Sequence, residues 1–258
     1  QGHDVHVAYE TSGNIAVGDE DMMRYVMLMD GIAPMFGFDN EHSVRLSADV
    51  RRRGEAKTSG SDTDTPEVRE IKTMLRQAEA TIACDYIGVK PQNVHFLRLP
   101  FYETGTIKKG DLTERDVEIV KNLLSDVKPH QIFVAGDLAD PHGTHRVCTD
   151  AVLAAIDDLK DEPWMKECRV WMYRGAWAEW EIDHIEMAVP ISPEELRFKR
   201  NSILKHQSQM ENAPFLGDDD RLFWQRAEER NRATASLYEE LGLASYEAME
   251  AFVQYHPL

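Results

Sequence analysis

The sequence has few cysteines, only Cys84, Cys148 and Cys168 in 258 residues, far apart and without a CxxC pair. That excludes a disulfide framework and reads as free thiols in a reducing cytoplasm. No apolar run approaches the roughly 18 residues of a membrane span. Basic residues are in deficit, 29 Lys and Arg against 46 Asp and Glu, for a net charge of −17. A surface of that sign repels phosphate backbones and anionic lipid, which argues against nucleic-acid and membrane partners but leaves room for one local basic pocket. A HExxH helix, a GxSxG elbow, a P-loop and a GxGxxG fingerprint are all missing. No internal repeat is apparent, and no secretory signal is visible in the residues given, although a clipped N-terminus would hide one.

What is present is a globular composition, 42% hydrophobic, enough for a sizeable core. The chain opens QGHDVHVAYETSG, where Val5 and Val7 alternate with His6 and Ala8 at the period of a strand. Gly2 suits the position just past a helix end. This predicts that a strand and a helix precede residue 1 and that the chain is a fragment; a tag or a truly terminal strand is the other reading. Losing a central strand would leave unpaired edges, so the isolated fragment is expected to be either poorly stable or self-associated as a homo-oligomer.

Further along, residues 19–32 read as a helix with an acidic first turn, and 49–65 as a charged loop. Pro66 suits a first helical position, with Val68, Ile71, Leu75, Ala78 and Ile82 tracing an apolar stripe. Strands are expected at 93–99, 131–136, 167–173 and 185–191, and helices at 113–127, 144–160, 192–209 and 220–241. Thr113 and Asp116 resemble a capping box. The alternation predicts an α/β fold: a doubly wound, mostly parallel sheet with helices on both faces, with 3–9, 93–99 and 131–136 as neighbouring strands. Residues 1–210 are the expected domain and 211–258 a C-terminal helical extension.

The stretch GDLADPHGTHRVC (136–148) follows the apolar run QIFVA, at the carboxyl end of a strand, where open parallel sheets bind ligands. His142 and His145 are three apart, with Asp137 and Asp140 beside them. Imidazole and carboxylate are divalent-metal ligands, and an unligated imidazole can stabilise an oxyanion. Equally, Asp140 can cap the following helix and the histidines can be polar loop residues.

The order GHDVHVAYETSG, RQAEATIACDYIGV, VHFLRLP, GDLADPHGTHR and KHQSQ resembles the LmbE-like family, which includes the N-acetylglucosaminylphosphatidylinositol de-N-acetylases, over residues 1–210. The wording AGDLADPHGTHRVC looks closest to a bacterial subgroup in which this domain follows a glucosamine-6-phosphate deaminase-like domain. The resemblance implies a zinc-dependent hydrolase that removes acetyl from an N-acetylglucosamine unit. It implies His145 as a metal ligand and His142 as the imidazole facing the scissile amide. Zinc-bound water would attack the carbonyl with an upstream Asp as base. Thr144 departs from the family's Asp, and the family's HPDD motif is absent from this chain. A fragment without it is expected to bind metal weakly or not at all.

Four more residues are substrate-binding candidates. Arg76, with Glu79 one turn on, matches the family's R-x-x-E; it reads either as a binder of hydroxyls or phosphate or as half of a surface pair. Asn14 ends the first strand, and Tyr102 follows Phe101, which replaces the family's Asp. His206 lies near a helix end. Trp171, Trp177 and Trp180 are either core or a sugar-stacking platform. These candidates, with Ser12, are expected to converge on one crevice with His142 and His145. The expected partners are a small amino-sugar substrate and the upstream deaminase-like domain. Two further readings stand beside the hydrolase: deaminase and isomerase chemistry in that upstream domain, and a non-catalytic sugar-binding or assembly module.

Overall fold

The structure, a computed structural model, describes residues 2–37, 41, 44, 45, 47–49, 64–106, 108–136, 143–175, 178–210 and 221–256. The chain forms two compact units. One holds Gln1–Arg98, Tyr102–Lys109 and Lys205–Asn212; the other holds Leu99–Phe101, Gly110–Leu204 and Ala213–Leu258.

In the first unit, β1 (Val7–Tyr9) pairs in parallel with β2 (Val94–Phe96), with Val7 opposite Val94. Helix α1 (Asp19–Ile32) and helix α2 (Pro66–Tyr86) supply the packing. The start of α2 is built locally: the Thr65 hydroxyl accepts from the Val68 N–H, and Pro66 supplies a preset φ where no N–H is needed. Val68 packs on Met22 and Val26 of α1. The expected stripe of α2 is out of phase beyond Leu75. Ala78 and Ile82 face solvent, while Lys72 and Glu79 are buried. Pairing makes that possible, because Lys72 Nζ reaches Asp19 and Asp64, each at 2.7 Å. The greater part of the predicted loop, residues 50–63, lies outside the described residues.

In the second unit, α3 (Glu114–Val127), β3 (Gln131–Ala135), α4 (Thr144–Leu159) and β4 (Arg169–Tyr173) alternate as expected of an α/β fold. The Thr113 N–H donates to Asp116 at 2.9 Å, as a capping box requires. Strands β5 (Met187–Ile191) and β6 (Ala248–Gln254), with α5 (Pro193–Ile203) and α6 (Phe223–Glu240), complete the unit. The strand order is β3-β4-β6-β5. β3 and β4 are parallel, whereas β6 runs antiparallel to both of its neighbours.

Three expectations are corrected here. Strands 3–9, 93–99 and 131–136 were expected as neighbours, but among the described residues β1 pairs with β2 and β3 pairs with β4. Helix α5 stops at Ile203, short of the residue 209 expected. Among the described residues of the expected helical extension over 211–258, α6 is followed by a strand, since β6 is inserted between β4 and β5. Glu250 interrupts its apolar run and hides it, but that carboxylate is half-buried and bonded to Lys199 and Arg230.

Candidate functional site

Polar side chains of the first unit gather where β1 ends. Ser12 and Asn14 are 4% and 2% exposed, and Asn14 Nδ2 donates to Thr73 Oγ1 at 3.3 Å. Between them Gly13 takes φ +66°, and an added Cβ would stand 3.0 Å from Arg76 Nε. Glycine is therefore what lets the Arg76 side chain lie on the backbone there.

Arg76 Nη1 donates to Glu79 at 2.8 Å and to Ser208 Oγ at 3.4 Å. The Ser208 N–H and hydroxyl both donate to the Glu79 carboxylate, at 2.6 and 2.8 Å. Glu79 thus ties α2 to a segment well over a hundred residues away. A cleft of about 240 Å³ adjoins this knot, lined by Asp21, Arg24, Tyr25, Glu79, Gln207 and Ser208 among others.

Ser12 Oγ, Arg76 Nε and His206 Nδ1 are buried without a hydrogen-bond partner among the described residues. Unsatisfied buried polar atoms are rare and call for an explanation, a polar ligand being one. Burial pushes the His206 imidazole below the ordinary histidine pKa and the Arg76 charge adds to this, with Glu79 opposing. His206 is accordingly held neutral, able to accept or donate one hydrogen bond. Tyr102 belongs to the same unit, but its ring is only 6% exposed, with the Lys109 ammonium 5.6 Å from its centroid.

His145 lies in the second unit, exposed in the first turn of α4. The Thr149 hydroxyl, one turn further along the same helix face, donates to the Ala135 carbonyl. That contact ties α4 to the carboxyl end of β3. The helix cap is Gly143 at φ 69°, in the place expected of Asp140. His142, Asp137, Asp140 and Trp177 lie outside the described residues. Among the described residues no three His, Cys, Asp or Glu side chains are grouped to hold a metal ion, so His145 does not make a metal site on their strength.

At the same strand end, the Gly136 N–H donates to Tyr173 O at 2.8 Å, which joins the ends of β3 and β4. A Cβ on Gly136 would meet Met172 at 2.7 Å and the Trp180 ring at 2.8 Å. The Arg174 guanidinium lies over that ring, 4.1 Å from its centroid. Trp171, by contrast, is core, 7% exposed. Ser208 and Arg174 escaped the reading of the sequence. Ser208 was inside the quoted KHQSQ, and Arg174 directly follows a strand, a position that favours ligand contact in such sheets.

Comparison with known proteins identifies the family. The pattern of the PIG-L family, GlcNAc-PI de-N-acetylase, matches residues 1–156, and the chain belongs to it. Membership supports a de-N-acetylating hydrolase in general terms. A glucosamine-6-phosphate deaminase-like protein of Bacteroides thetaiotaomicron is 63% identical over the whole chain, which spans 39% of that protein's length. Among solved structures, the 4-carboxy-2-hydroxymuconate hydratase GalB of Pseudomonas putida KT2440 is 12% identical with a TM-score of 0.53, over 98% of this chain and 96% of its own. The N,N'-diacetylchitobiose deacetylase of Pyrococcus horikoshii is 15% identical with a TM-score of 0.49, over 76% of this chain and 68% of its own. At 12% identity the likeness to GalB is one of fold, and a hydratase on this fold illustrates that fold does not fix chemistry.

Proposed function

We propose that this chain is the de-N-acetylase part of a larger protein and hydrolyses the acetamide of an N-acetylglucosamine-containing substrate. The family match, which spans the Arg76–Glu79 knot and the HGTH stretch together, carries this reading. Water adds to the acetyl carbonyl, the C–N bond breaks, and acetate and a free amine leave. His145 is the residue of this chain that would ligate the divalent ion, zinc by resemblance, whose bound form polarises a carbonyl and acidifies water. His142 donates a hydrogen bond to the carbonyl oxygen as negative charge gathers there.

Arg76, Asn14 and His206 bind sugar hydroxyls. Arg76 suits that task better than phosphate binding, because Glu79 already balances its charge at 2.8 Å. Tyr102 contributes through its ring position more than through an exposed hydroxyl. The deaminase chemistry in the Bacteroides relative's name is assigned to the parts of that protein which this chain does not span.

The test is metal content and acetate release in the protein expressed from its whole gene. His145→Ala should lose the metal and all turnover. His142→Ala should keep the metal and lose turnover by about 10²-fold or more. Equal metal loss in both variants would show that the two histidines are misassigned.

A further inference from the structure

Helix α1 carries two apolar stripes where its own unit uses one. Met22 and Val26 are buried and pack with Val68 of α2. Tyr25, Leu28, Met29 and Ile32 fall at the i, i+3, i+4, i+7 spacing of a second stripe, and Met35 and Phe36 prolong it past the helix end. Tyr25, Leu28 and Met29 are about half exposed, and Met35 is 80% exposed. Single apolar residues on a surface need no explanation, but a row of them along one helix face does.

Side chains of this size, each half exposed or more, together offer on the order of 600 Å². Two such faces pressed together bury about 1,200 Å², the lower bound of a specific protein–protein interface. Charge narrows the choice of occupant. Asp19, Glu20 and Asp21 fill the first turn of α1, and its last turn has no basic residue. An anionic lipid surface is repelled by that turn and by the net charge of −17. A second copy meets a smaller barrier, because Arg24 already offsets Asp21 at 3.2 Å. If the two helices run antiparallel about a two-fold axis near Leu28, their acidic turns stand at opposite ends of the interface. They are then about 20 Å apart, well beyond a Debye length.

We propose that the face of α1 from Tyr25 to Phe36 is an interface between two copies of this chain, paired antiparallel across a two-fold axis near Leu28. The inference does not rest on the de-N-acetylase reading. Tyr25 and Leu28 also line the cleft beside the Arg76–Glu79 knot, so a copy seated on this face borders that cleft.

Oxidative cross-linking in the protein from its whole gene tests the interface. Leu28→Cys, close to the axis, should form a disulfide-linked dimer that reductant reverses. Met27→Cys, exposed on the other side of the helix, should form little or none. The unsubstituted protein, with its own three free cysteines, sets the background. In sedimentation, Leu28→Glu should lower the mass by about half, and Met27→Glu should leave it unchanged. Cross-linking that is equal at positions 27 and 28, or absent at both, overturns the proposal, as does a mass that Leu28→Glu does not change. If the thiol introduced by Leu28→Cys neither cross-links nor reacts with a maleimide, another part of the same protein covers this face and the proposal fails.

Discussion

Arg76 and Arg174 are held by opposite means. In the first unit a buried carboxylate and a serine take hold of Arg76, and a glycine makes room for its stem. In the second an indole supports the Arg174 guanidinium, and a glycine makes room for the indole. The first arrangement balances the charge within about one hydrogen-bond length, which leaves a directional donor suited to neutral hydroxyls. The second orients the group without using its donors in the stacking contact.

The largest effect should come from breaking the first arrangement. Glu79→Ala strands the Arg76 charge and the Ser208 N–H in a buried site, and should cost about 3 kcal/mol in urea unfolding. Glu79→Gln, which still offers one oxygen, should cost less. Similar small losses in both would mean that the carboxylate is not the organising group.

Gly136→Ala sharpens the second arrangement. Its Cβ would stand 2.7 Å from Met172 and 2.8 Å from Trp180, so overpacking should cost about 2 kcal/mol and change the tryptophan emission. An unchanged spectrum would place Trp180 elsewhere. Gly13→Ala combines a left-handed φ with a 3.0 Å approach to Arg76 Nε and should cost about 1 kcal/mol.

The smallest effect is one of pH. Burial, with help from Arg76, holds the His206 pKa below its ordinary value. Below about pH 6.5 the unfolded chain gains a proton there that the folded chain refuses. Stability should therefore fall as pH drops from about 6.5 toward the folded pKa, with no further loss beneath it. His95 is lowered in the same direction by burial and by His6, and adds to the slope. His206→Gln should flatten part of the slope; a slope that is unchanged would mean that His206 is not buried as described.

What could be read in the sequence was what neighbouring residues decide. The starts of α2 and α3 were legible because Pro66, Thr113 and Asp116 act within one turn of themselves. The inward face of α2 was not, because Lys72 and Glu79 are buried by partners contributed from elsewhere, Asp19, Asp64 and Ser208. β6 was missed for the same reason: Glu250 looks like a solvent residue until Lys199 and Arg230 are brought to it. At the candidate site, Arg76, Glu79 and His145 could be picked out by motif. Ser208 and Arg174 could not, since their roles depend on contacts that no local spacing announces.

Product analysis tests the central claim most directly. With N-acetylglucosamine or its 6-phosphate and the protein from its whole gene, loaded with zinc, the account predicts acetate and free amine in equal amounts, with the release abolished by His145→Ala. Ammonium in place of acetate, or acetate release that survives His145→Ala, would contradict it.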